Sequence, residues 1–411
     1  MWFEKAGYRI KLINYLNYSD FLTSKKLRLP KRKQDGTGKF YKSFIKKPEV
    51  LADVPRNYHR YGILRESVEL KLKRIKPSVI LISSGMTYWY PGVKEAVETV
   101  KKLFPGIPVI VGGTYATLCP EHCDKVVGPD YIITGNALPE LSHILKKLSL
   151  PYSDLSLTED FLFLKQELED SAVIRINTGC PYTCDYCASK KLTGNFKQGN
   201  PELTFNNVYQ INKKFGNINF AFLDDALLFN KEKGIMLFLE KIIESGLKLN
   251  FYLPNAVHLS YLDITTAELM KKAGFREIRI GFESSSDDFH GETGKKLSVE
   301  ELGRGVRILK SAGFSAKDIS VYILAGLPGQ RACEVEESIK YASAYRIRIM
   351  LAEYSTVPHT KLWKKSVEFS SYPIALDPLT HNNTVFPMEW EHFKLADLER
   401  LKKMSHELSV R

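Results

Sequence analysis

Short apolar runs alternate with segments of helical hydrophobic periodicity along most of this chain. In the first 150 residues the apolar runs predict strands at 8–15, 79–83, 109–111 and 131–134. Helices are predicted between and after them, over 64–74, from Pro91 onward and over 140–147. Strands of this length that alternate with helices are typical of a parallel sheet covered on both faces. The pattern therefore predicts a doubly wound α/β domain over residues 1–150.

A second alternating series follows a polar linker that begins near Pro151. Its predicted strands are 172–176, 220–223, 250–253, 277–281, 320–324 and 350–353, and its predicted helices include 300–312 and 334–344. Six strand–helix units predict a partial (β/α)6 barrel of the TIM type over 168–365, with functional residues at the carboxyl ends of its strands. In residues 366–411, apolar side chains at near-helical spacing predict a packing helix over 391–410.

Composition and charge narrow the class of protein. The chain has 411 residues, of which 44% are hydrophobic and 26% charged, as in a soluble globular protein and unlike a disordered or collagen-like one. Its six cysteines are too few for a disulfide framework of this size. No apolar run reaches the roughly 20 residues that cross a bilayer, and the N-terminus lacks a secretory signal. We therefore expect a cytoplasmic protein without a transmembrane segment.

The net charge of +12 is concentrated in one segment. Ten lysines and arginines lie between Lys25 and Lys47, against the single acid Asp35. Such a run could bind a phosphate, a nucleic acid or an anionic surface. Pro30 and the turn residues 35–38 instead favour a solvated loop.

The strongest chemical signal is a cluster of three cysteines directly after the first strand of the second series. Cys180, Cys184 and Cys187 follow the spacing C-x3-C-x2-C. Three thiolates in one loop can hold three irons of a [4Fe–4S] cluster, which leaves the fourth iron open to a catalytic ligand. A structural zinc site would need a fourth ligand close by, and three unrelated buried thiols are the remaining alternative.

With an aromatic residue, Tyr186, before its last cysteine, this motif resembles the signature of radical S-adenosylmethionine (radical SAM) enzymes. The resemblance extends over 172–365 through the sequences Phe222-Leu223-Asp224-Asp225, Arg279-Ile280-Gly281-Phe282-Glu283-Ser284, Ala325-Gly326-Leu327-Pro328-Gly329 and Tyr354-Ser355-Thr356-Val357-Pro358-His359-Thr360. The last of these departs from the family, which more often has Pro-Gly where this chain has Pro358-His359.

The resemblance implies a reaction and a set of binding residues. SAM would bind the open iron, and an electron from the cluster would cleave it to methionine and a 5′-deoxyadenosyl radical. The SAM-binding residues would be Tyr186, Asp224, Glu283 and Gly326. Two alternatives remain: Glu283 can pair with Arg279, and one of the two adjacent acids Asp224 and Asp225 can cap the next helix. An electron donor such as flavodoxin or ferredoxin is implied as a partner.

The N-terminal domain resembles the cobalamin-binding domain that precedes many radical SAM barrels. Its Ser84-Gly85-Met86 and Gly112-Gly113 follow strands, where a doubly wound sheet forms its ligand crevice. The resemblance implies that Ser84, Met86, Gly112 and Gly113 bind cobalamin, although small residues at strand ends are common in any such fold.

The family's cobalt-binding motif, Asp-x-His-x-x-Gly, is altered in this chain. The nearest match, residues 57–62, has Asn57 in place of Asp and lies too far along the chain. We therefore expect His59 to be a loop residue and cobalamin to be bound without a histidine ligand. Cys119 and Cys123, which flank residues 120–122, are a further candidate metal site.

These features predict cobalamin-dependent methyl transfer from SAM to an unactivated carbon of a small-molecule, lipid or peptide substrate. A radical rearrangement, cyclisation or oxidation without cobalamin is the alternative reaction. A protein that binds RNA or a membrane surface, with a structural or sensory cluster, is the non-enzymatic alternative. We do not expect nucleic-acid binding, because no separate nucleic-acid module follows the barrel.

Overall fold

In a computed structural model, the chain is described at residues 3, 7–33, 38–152, 171–216, 219–286 and 299–410. Residues 35–37 of the turn predicted at 35–38 and residues 153–170 of the predicted linker lie outside this part. The strands are β1 (Lys42–Phe44), β2 (His59–Tyr61), β3 (Ile80–Ser84), β4 (Val109–Gly113), β5 (Tyr131–Ile132), β6 (Ser171–Ile174), β7 (Asn219–Phe222), β8 (Asn250–Tyr252), β9 (Phe275–Glu283), β10 (Ile319–Ala325) and β11 (Arg348–Glu353).

Helices connect and cover these strands. The α-helices of five or more residues are α1 (Phe21–Lys26), α2 (Arg65–Leu72), α3 (Tyr90–Leu103), α4 (Thr114–Leu118), α5 (Ala137–Lys147), α6 (Ser189–Thr193), α7 (Pro201–Phe215), α8 (Ile235–Glu244), α9 (Ile264–Ala273), α10 (Val299–Ser311), α11 (Ala332–Ser343), α12 (Trp363–Phe369) and α13 (Leu395–Leu408). No helix in the described ranges combines the length and the apolar character needed to cross a bilayer.

The N-terminal domain is a parallel sheet in the order β3-β4-β5, with helices on both faces. Side chains of β4 alternate between the two faces, because successive residues of a strand point to opposite sides. Val109 and Val111 pack in one apolar cluster with α3, and Ile110 packs in another with α5. The predicted doubly wound arrangement is confirmed, and it directs the carboxyl ends of all three strands to one edge.

The strand predicted at 8–15 is absent, and this prediction was wrong. Residues 8–13 run beside β3 without forming a ladder, and the side chains of Ile10 and Leu12 are 43% and 45% exposed. These residues and β3 line one cavity of about 2030 Å³. Strand propensity produces a strand only where backbone pairing with a neighbour completes it, and no ladder to residues 8–13 forms among the described residues.

The second sheet contains β6 to β11, each parallel to the next, in chain order. All six predicted strands are present within two residues of their predicted bounds. Phe222, Phe251 and Phe275 are fully buried and form an aromatic core, in which the rings of Phe222 and Phe275 stack at 5.5 Å. No ladder joins β6 to β11 in the described part of the chain, so the barrel is open, as expected for a partial barrel.

The C-terminal segment connects the two sheets. Leu398 and Leu401 of α13 are buried against the barrel, which confirms the predicted packing helix. Before this helix, the short turn Pro378–His381 packs on Thr87, just beyond β3. His381 Nδ1 lies 2.9 Å from Thr87 Oγ1, and its Nε2 lies 2.8 Å from the Ile374 carbonyl oxygen. Burial lowers the pKa of His381 to about 4, so a neutral imidazole links the two domains at pH 7.

Candidate active site

The three cysteines lie in the loop that follows β6. Cys184 is buried, Cys180 is half-buried and Cys187 is exposed. The Cys187 amide donates to the Cys184 carbonyl oxygen at 3.0 Å, and the Ser189 amide donates to Cys187 Sγ at 3.4 Å.

The donor set of this loop fits an iron–sulfur cluster. In the described part of the chain, no three His, Cys, Asp or Glu side chains converge as a single metal ion requires. A [4Fe–4S] cluster binds each thiolate through a different iron, so its ligands need only share a loop. Cys180, Cys184 and Cys187 meet that requirement, and we retain them as the predicted cluster ligands.

Asp224, just beyond β7, fixes the first residues of the cysteine loop. Its carboxylate is buried and accepts hydrogen bonds from the amides of Ile176 at 3.1 Å and Asn177 at 2.6 Å. Burial raises the pKa of Asp224 to about 7, although the two amide donors oppose this effect. The carboxylate therefore positions the backbone ahead of Cys180, and direct contact with SAM stays a prediction.

The raised pKa of Asp224 predicts a pH dependence of stability. Because the folded state holds this proton more tightly than the unfolded state, the free energy of unfolding should fall as pH rises from about 4 to about 7, by up to about 1.4 kcal/mol per pKa unit. In Asp224→Asn, which keeps an acceptor oxygen but cannot titrate, this decline should flatten. Urea unfolding of the apo chain at several pH values measures it, and an equal slope in both proteins would contradict the assignment.

Two glycines allow the loop to pack against its neighbouring segment. Gly179 has φ +73°, and a Cβ there would lie 2.5 Å from the Asn195 carbonyl oxygen. At Gly199, a Cβ would overlap the carbonyl oxygen of Ile176. Both contacts are with backbone atoms, which cannot move aside as a flexible side chain can.

We therefore expect Gly199→Ala to lower the free energy of unfolding by about 2 kcal/mol, because the chain must shift to relieve the overlap. Gly92→Ala in α3 is the matched control, since a Cβ there meets no atom within 4 Å and alanine favours helices. Denaturant unfolding of both variants measures the difference. Equal stabilities for the two variants would show that the contact at Gly199 is relieved without cost.

Tyr186 and Glu283, both predicted to bind SAM, are joined directly. The Tyr186 hydroxyl donates to the Glu283 carboxylate, and burial together with that carboxylate raises the pKa of Tyr186. Glu283 is buried at the end of β9 with φ +74°, a strained conformation for a residue with a side chain. Arg279, the alternative partner proposed for Glu283, forms an ion pair with Glu277 at 3.2 Å. The structure thus holds the Glu283 carboxylate against Tyr186 of the cysteine loop.

The cysteine loop also reaches the segments beyond β8 and β11. The Tyr182 ring stacks on His258 at 4.7 Å, and its hydroxyl donates to the Tyr261 hydroxyl at 2.6 Å. Asp185 forms an ion pair with Lys361 at 2.8 Å, beyond the end of β11. Because β6 and β11 are opposite edges of the sheet, the loop spans the mouth of the open barrel.

The remaining predicted SAM residues have other contacts. Gly326 has φ +87°, and a Cβ there would lie 2.9 Å from the ring of Phe386, so packing of the C-terminal segment accounts for this glycine. Its contact with SAM stays a prediction. Asp225 accepts a hydrogen bond from Thr193 Oγ1 of α6 at 3.2 Å. Since Asp224 and Asp225 bind these groups and cap no following helix, the capping alternative was wrong.

The sequence motifs did not include every residue at the mouth of the barrel. His258 and Lys361 lie outside the quoted motifs, although both follow strand ends and the carboxyl-end rule would have indicated them. Thr356, within the motif beyond β11, has a buried hydroxyl without a hydrogen-bond partner among the described residues. The Nδ2 atom of Asn177 is orphaned in the same way. Such buried donors fit a polar ligand like SAM, whose groups would satisfy them.

At the carboxyl edge of the N-terminal sheet, the ends of β3 and β4 approach closely. Ser84 is buried and its hydroxyl donates to the Met86 carbonyl oxygen at 3.1 Å. Gly113 has φ +88°, and a Cβ there would lie 2.6 Å from the Ser84 carbonyl oxygen, whereas one at Gly112 would make ordinary contact. Gly85 and Gly113 are exposed, so this edge presents bare backbone that fits the approach of a large planar cofactor.

Two other sequence predictions concern this domain. His59 lies in β2, paired with Phe44 in the antiparallel ribbon, so its prediction as a loop residue was wrong.

Burial raises the pKa of the Cys119 and Cys123 thiols to about 12, which disfavours the thiolates that metals bind. Within the described residues no metal-ligand set forms around them.

Comparison with known proteins identifies two families within the chain. The sequence profile of the radical SAM superfamily matches residues 174–342, and that of the B12 binding domain matches residues 52–144. The first match contains the cysteine loop and Glu283, and the second contains the bare edge of the N-terminal sheet.

Named relatives are distant. The uncharacterised methyltransferase PH0819 of Pyrococcus horikoshii is 23% identical, over 82% of this chain and 76% of its own length. An anaerobic magnesium-protoporphyrin IX monomethyl ester cyclase of Rubrivivax gelatinosus is 21% identical, over 67% of this chain and 56% of its own length.

A solved structure shares the fold. The radical SAM methyltransferase TsrM from Kitasatospora setae, determined with tryptophan substrate and a SAM analogue, superimposes with a TM-score of 0.64. The superposition covers 82% of this chain and 81% of that chain, at 13% identity. At this identity the likeness establishes the fold alone.

Proposed function

We propose that this chain, which belongs to the radical SAM superfamily and carries a B12-binding domain, transfers a methyl group to an unactivated carbon of its substrate. One observation carries the proposal: α4, which follows Gly113, contacts α6, which follows Cys187. The contact places the carboxyl edge of the B12-binding domain next to the cysteine loop. A methyl donor at that edge and a radical initiator at the loop would then share one substrate, which is the proximity that methyl transfer needs.

Each group of residues has its own task in this proposal. When bound, the [4Fe–4S] cluster supplies an electron for SAM cleavage, and cobalamin supplies the methyl group. Cys180, Cys184 and Cys187 would hold the cluster. Glu283 would accept hydrogen bonds from the ammonium or ribose hydroxyls of SAM, and Tyr186 would orient its carboxylate.

The proposal is tested by anaerobic reconstitution with iron, sulfide and hydroxocobalamin, followed by incubation with SAM and a reductant. We expect bound cobalamin, and both 5′-deoxyadenosine and S-adenosylhomocysteine as products once the substrate is supplied. Trideuteromethyl SAM should label the product with three deuterium atoms. A protein that binds no cobalamin under these conditions would contradict methyl transfer.

A radical rearrangement, cyclisation or oxidation without cobalamin is the second candidate. The similarity to the Rubrivivax protein, which is named a cyclase, favours cyclisation among these reaction types. The two reactions differ in their use of SAM. Methyl transfer through cobalamin consumes a second SAM as methyl source and releases S-adenosylhomocysteine, whereas cyclisation releases 5′-deoxyadenosine alone. The ratio of the two products, measured by chromatography, distinguishes them.

We also predict that His59→Ala leaves cobalamin binding unchanged, because His59 pairs within β2 of the antiparallel ribbon. Bound cobalamin should give a visible spectrum without a coordinated lower base in both the parent chain and the variant. Electron paramagnetic resonance of the cobalt(II) form should show no nitrogen splitting from a lower ligand. Loss of binding in the variant, or such splitting in the parent chain, would restore a histidine ligand.

The remaining parts of the proposal concern organisation and partners. A radical SAM enzyme needs a substrate and a reductant, and we propose flavodoxin or ferredoxin as the electron donor and the cytoplasm as the location. The substrate itself could be a small molecule, a lipid or a peptide. We propose domain boundaries at 1–150, 168–365 and 366–411.

A further inference from the structure

The cavity beside β3 shares only Ser84 and Gly85 with the residues at the edge proposed for cobalamin, and its other described lining residues have no task in the proposed reaction. Its volume of about 2030 Å³ is about twice the roughly 1,000 Å³ at the upper end of small-molecule pockets. Residues 7–16, the ribbon of β1 and β2, the exposed edge of β3 and residues 382–385 line it. The three cysteines and Glu283 are not among its described lining residues.

The cavity carries an unbalanced positive charge. Arg60 and Arg65 share one carboxylate, that of Glu95, at 2.6 and 2.7 Å, so this group keeps one net positive charge. Seven other lining cations have no acid partner in the described part of the chain: Arg9, Lys11, Lys42, Lys47, Arg56, Arg74 and Lys76. Lys42 and Lys47 are the two of these seven that belong to the basic run described in the sequence analysis. An excess of cations around one space favours a ligand with several negative charges.

Several large apolar side chains that line the same cavity are exposed to solvent. Ile10, Leu12, Tyr61, Leu81 and Trp89 line it, and each is at least 40% exposed. Soluble proteins rarely leave such a group of large apolar side chains uncovered unless a ligand or partner covers it. The ligand therefore needs an apolar body as well as a charged head.

We infer that this cavity binds an anionic amphiphile, with a phosphate or pyrophosphate head at the cations and a hydrocarbon body along the apolar wall. Arginine guanidinium groups match phosphate oxygens in geometry, and Arg9, Arg56 and Arg74 supply three of them. A nucleic acid would also neutralise the cations, but it would leave the aliphatic wall of Ile10, Leu12 and Leu81 uncovered. The inference rests on the cations and the apolar wall, none of which the proposed methyl transfer uses, although the cavity also includes Ser84 and Gly85 of the cobalamin edge.

The test is calorimetric titration of the full chain with farnesyl pyrophosphate below its micellar concentration. We expect saturable binding that weakens at least tenfold when Arg56→Glu and Arg74→Glu are combined. Lys213→Glu with Lys272→Glu, exposed lysines of α7 and α9 in the barrel domain, is the control with the same change in net charge. That control should bind farnesyl pyrophosphate as the parent chain does.

Further titrations identify the occupant. Farnesol has only the hydrocarbon body, and inorganic pyrophosphate has only the charged head. If both bind more weakly than farnesyl pyrophosphate, the result would support a ligand that has a charged head and an apolar body. Equal binding by the Arg56→Glu/Arg74→Glu variant and its control would overturn the inference. Two other results would also overturn it: sub-micromolar, salt-sensitive tRNA binding that displaces farnesyl pyrophosphate, or a parallel loss of cobalamin binding in the Arg56→Glu/Arg74→Glu variant. The first result would assign the cavity to RNA and the second to the cofactor, and neither would alter the test of methyl transfer.

Discussion

Cys184→Ala is expected to abolish SAM cleavage, with 5′-deoxyadenosine production at least about 1,000-fold below that of the parent chain. Cys184 is the buried thiol of the loop, and a cluster with an open iron has only three protein ligands. Losing one ligand should prevent assembly rather than slow turnover. Reconstituted iron should fall from about four atoms per chain, the content of the cluster type, to a small fraction of that value. Iron analysis and the visible absorption of the cluster measure this directly.

Cys333→Ala is the matched control, because Cys333 is an exposed thiol on α11, outside the cysteine loop. It should keep the full iron content and the full rate of SAM cleavage. The combined alanine variant of Cys180, Cys184 and Cys187 should bind no cluster. If that variant retained about four irons, the ligand assignment would be wrong.

Most of the fold could be predicted because its strands are defined by local pattern. Buried parallel strands appear as short apolar runs, and the six strands of the barrel were found from such runs. The same rule failed at 8–15, where the apolar run pairs with no strand among the described residues. Whether an edge strand pairs depends on contacts with distant segments, which no local pattern reveals.

The residues of the candidate site also fall into two groups, those that local sequence predicts and those that depend on distant segments of the chain. Cys180, Cys184 and Cys187 could be predicted because cluster ligation imposes a fixed spacing on neighbouring residues. The role of Asp224 could not, because it depends on backbone amides 47 and 48 positions away. The packing of Gly326 depends likewise on Phe386, which a separate segment of the chain supplies. Motifs therefore identify positions near the cofactor, while the structure distinguishes the groups available to it from those that support the loop.

Glu283→Gln is expected to weaken SAM binding by about 100-fold while the cluster content stays unchanged. A hydrogen bond to a charged partner contributes about 1.5–3 kcal/mol, and every 1.4 kcal/mol corresponds to a tenfold change in affinity. Glutamine has nearly the same shape, so the strained backbone at φ +74° and the contact with Tyr186 should persist. The loss would then reflect the missing negative charge. Titration with SAM, followed by the change in the paramagnetic resonance spectrum of the reduced cluster, measures the affinity.

Tyr186→Phe separates two possible roles of Glu283, which are direct contact with SAM and the hydrogen bond that holds Tyr186 in place. It removes the hydroxyl that donates to Glu283 but leaves the carboxylate charged, so SAM affinity should fall less than in Glu283→Gln. If Glu283 acted only by holding Tyr186 in place, the two variants would lose the same affinity, because each weakens the same hydrogen bond. A larger loss in Glu283→Gln, with iron content equal in both variants, is the result expected of a carboxylate that contacts SAM itself. Unchanged SAM affinity in Glu283→Gln would remove Glu283 from the binding site.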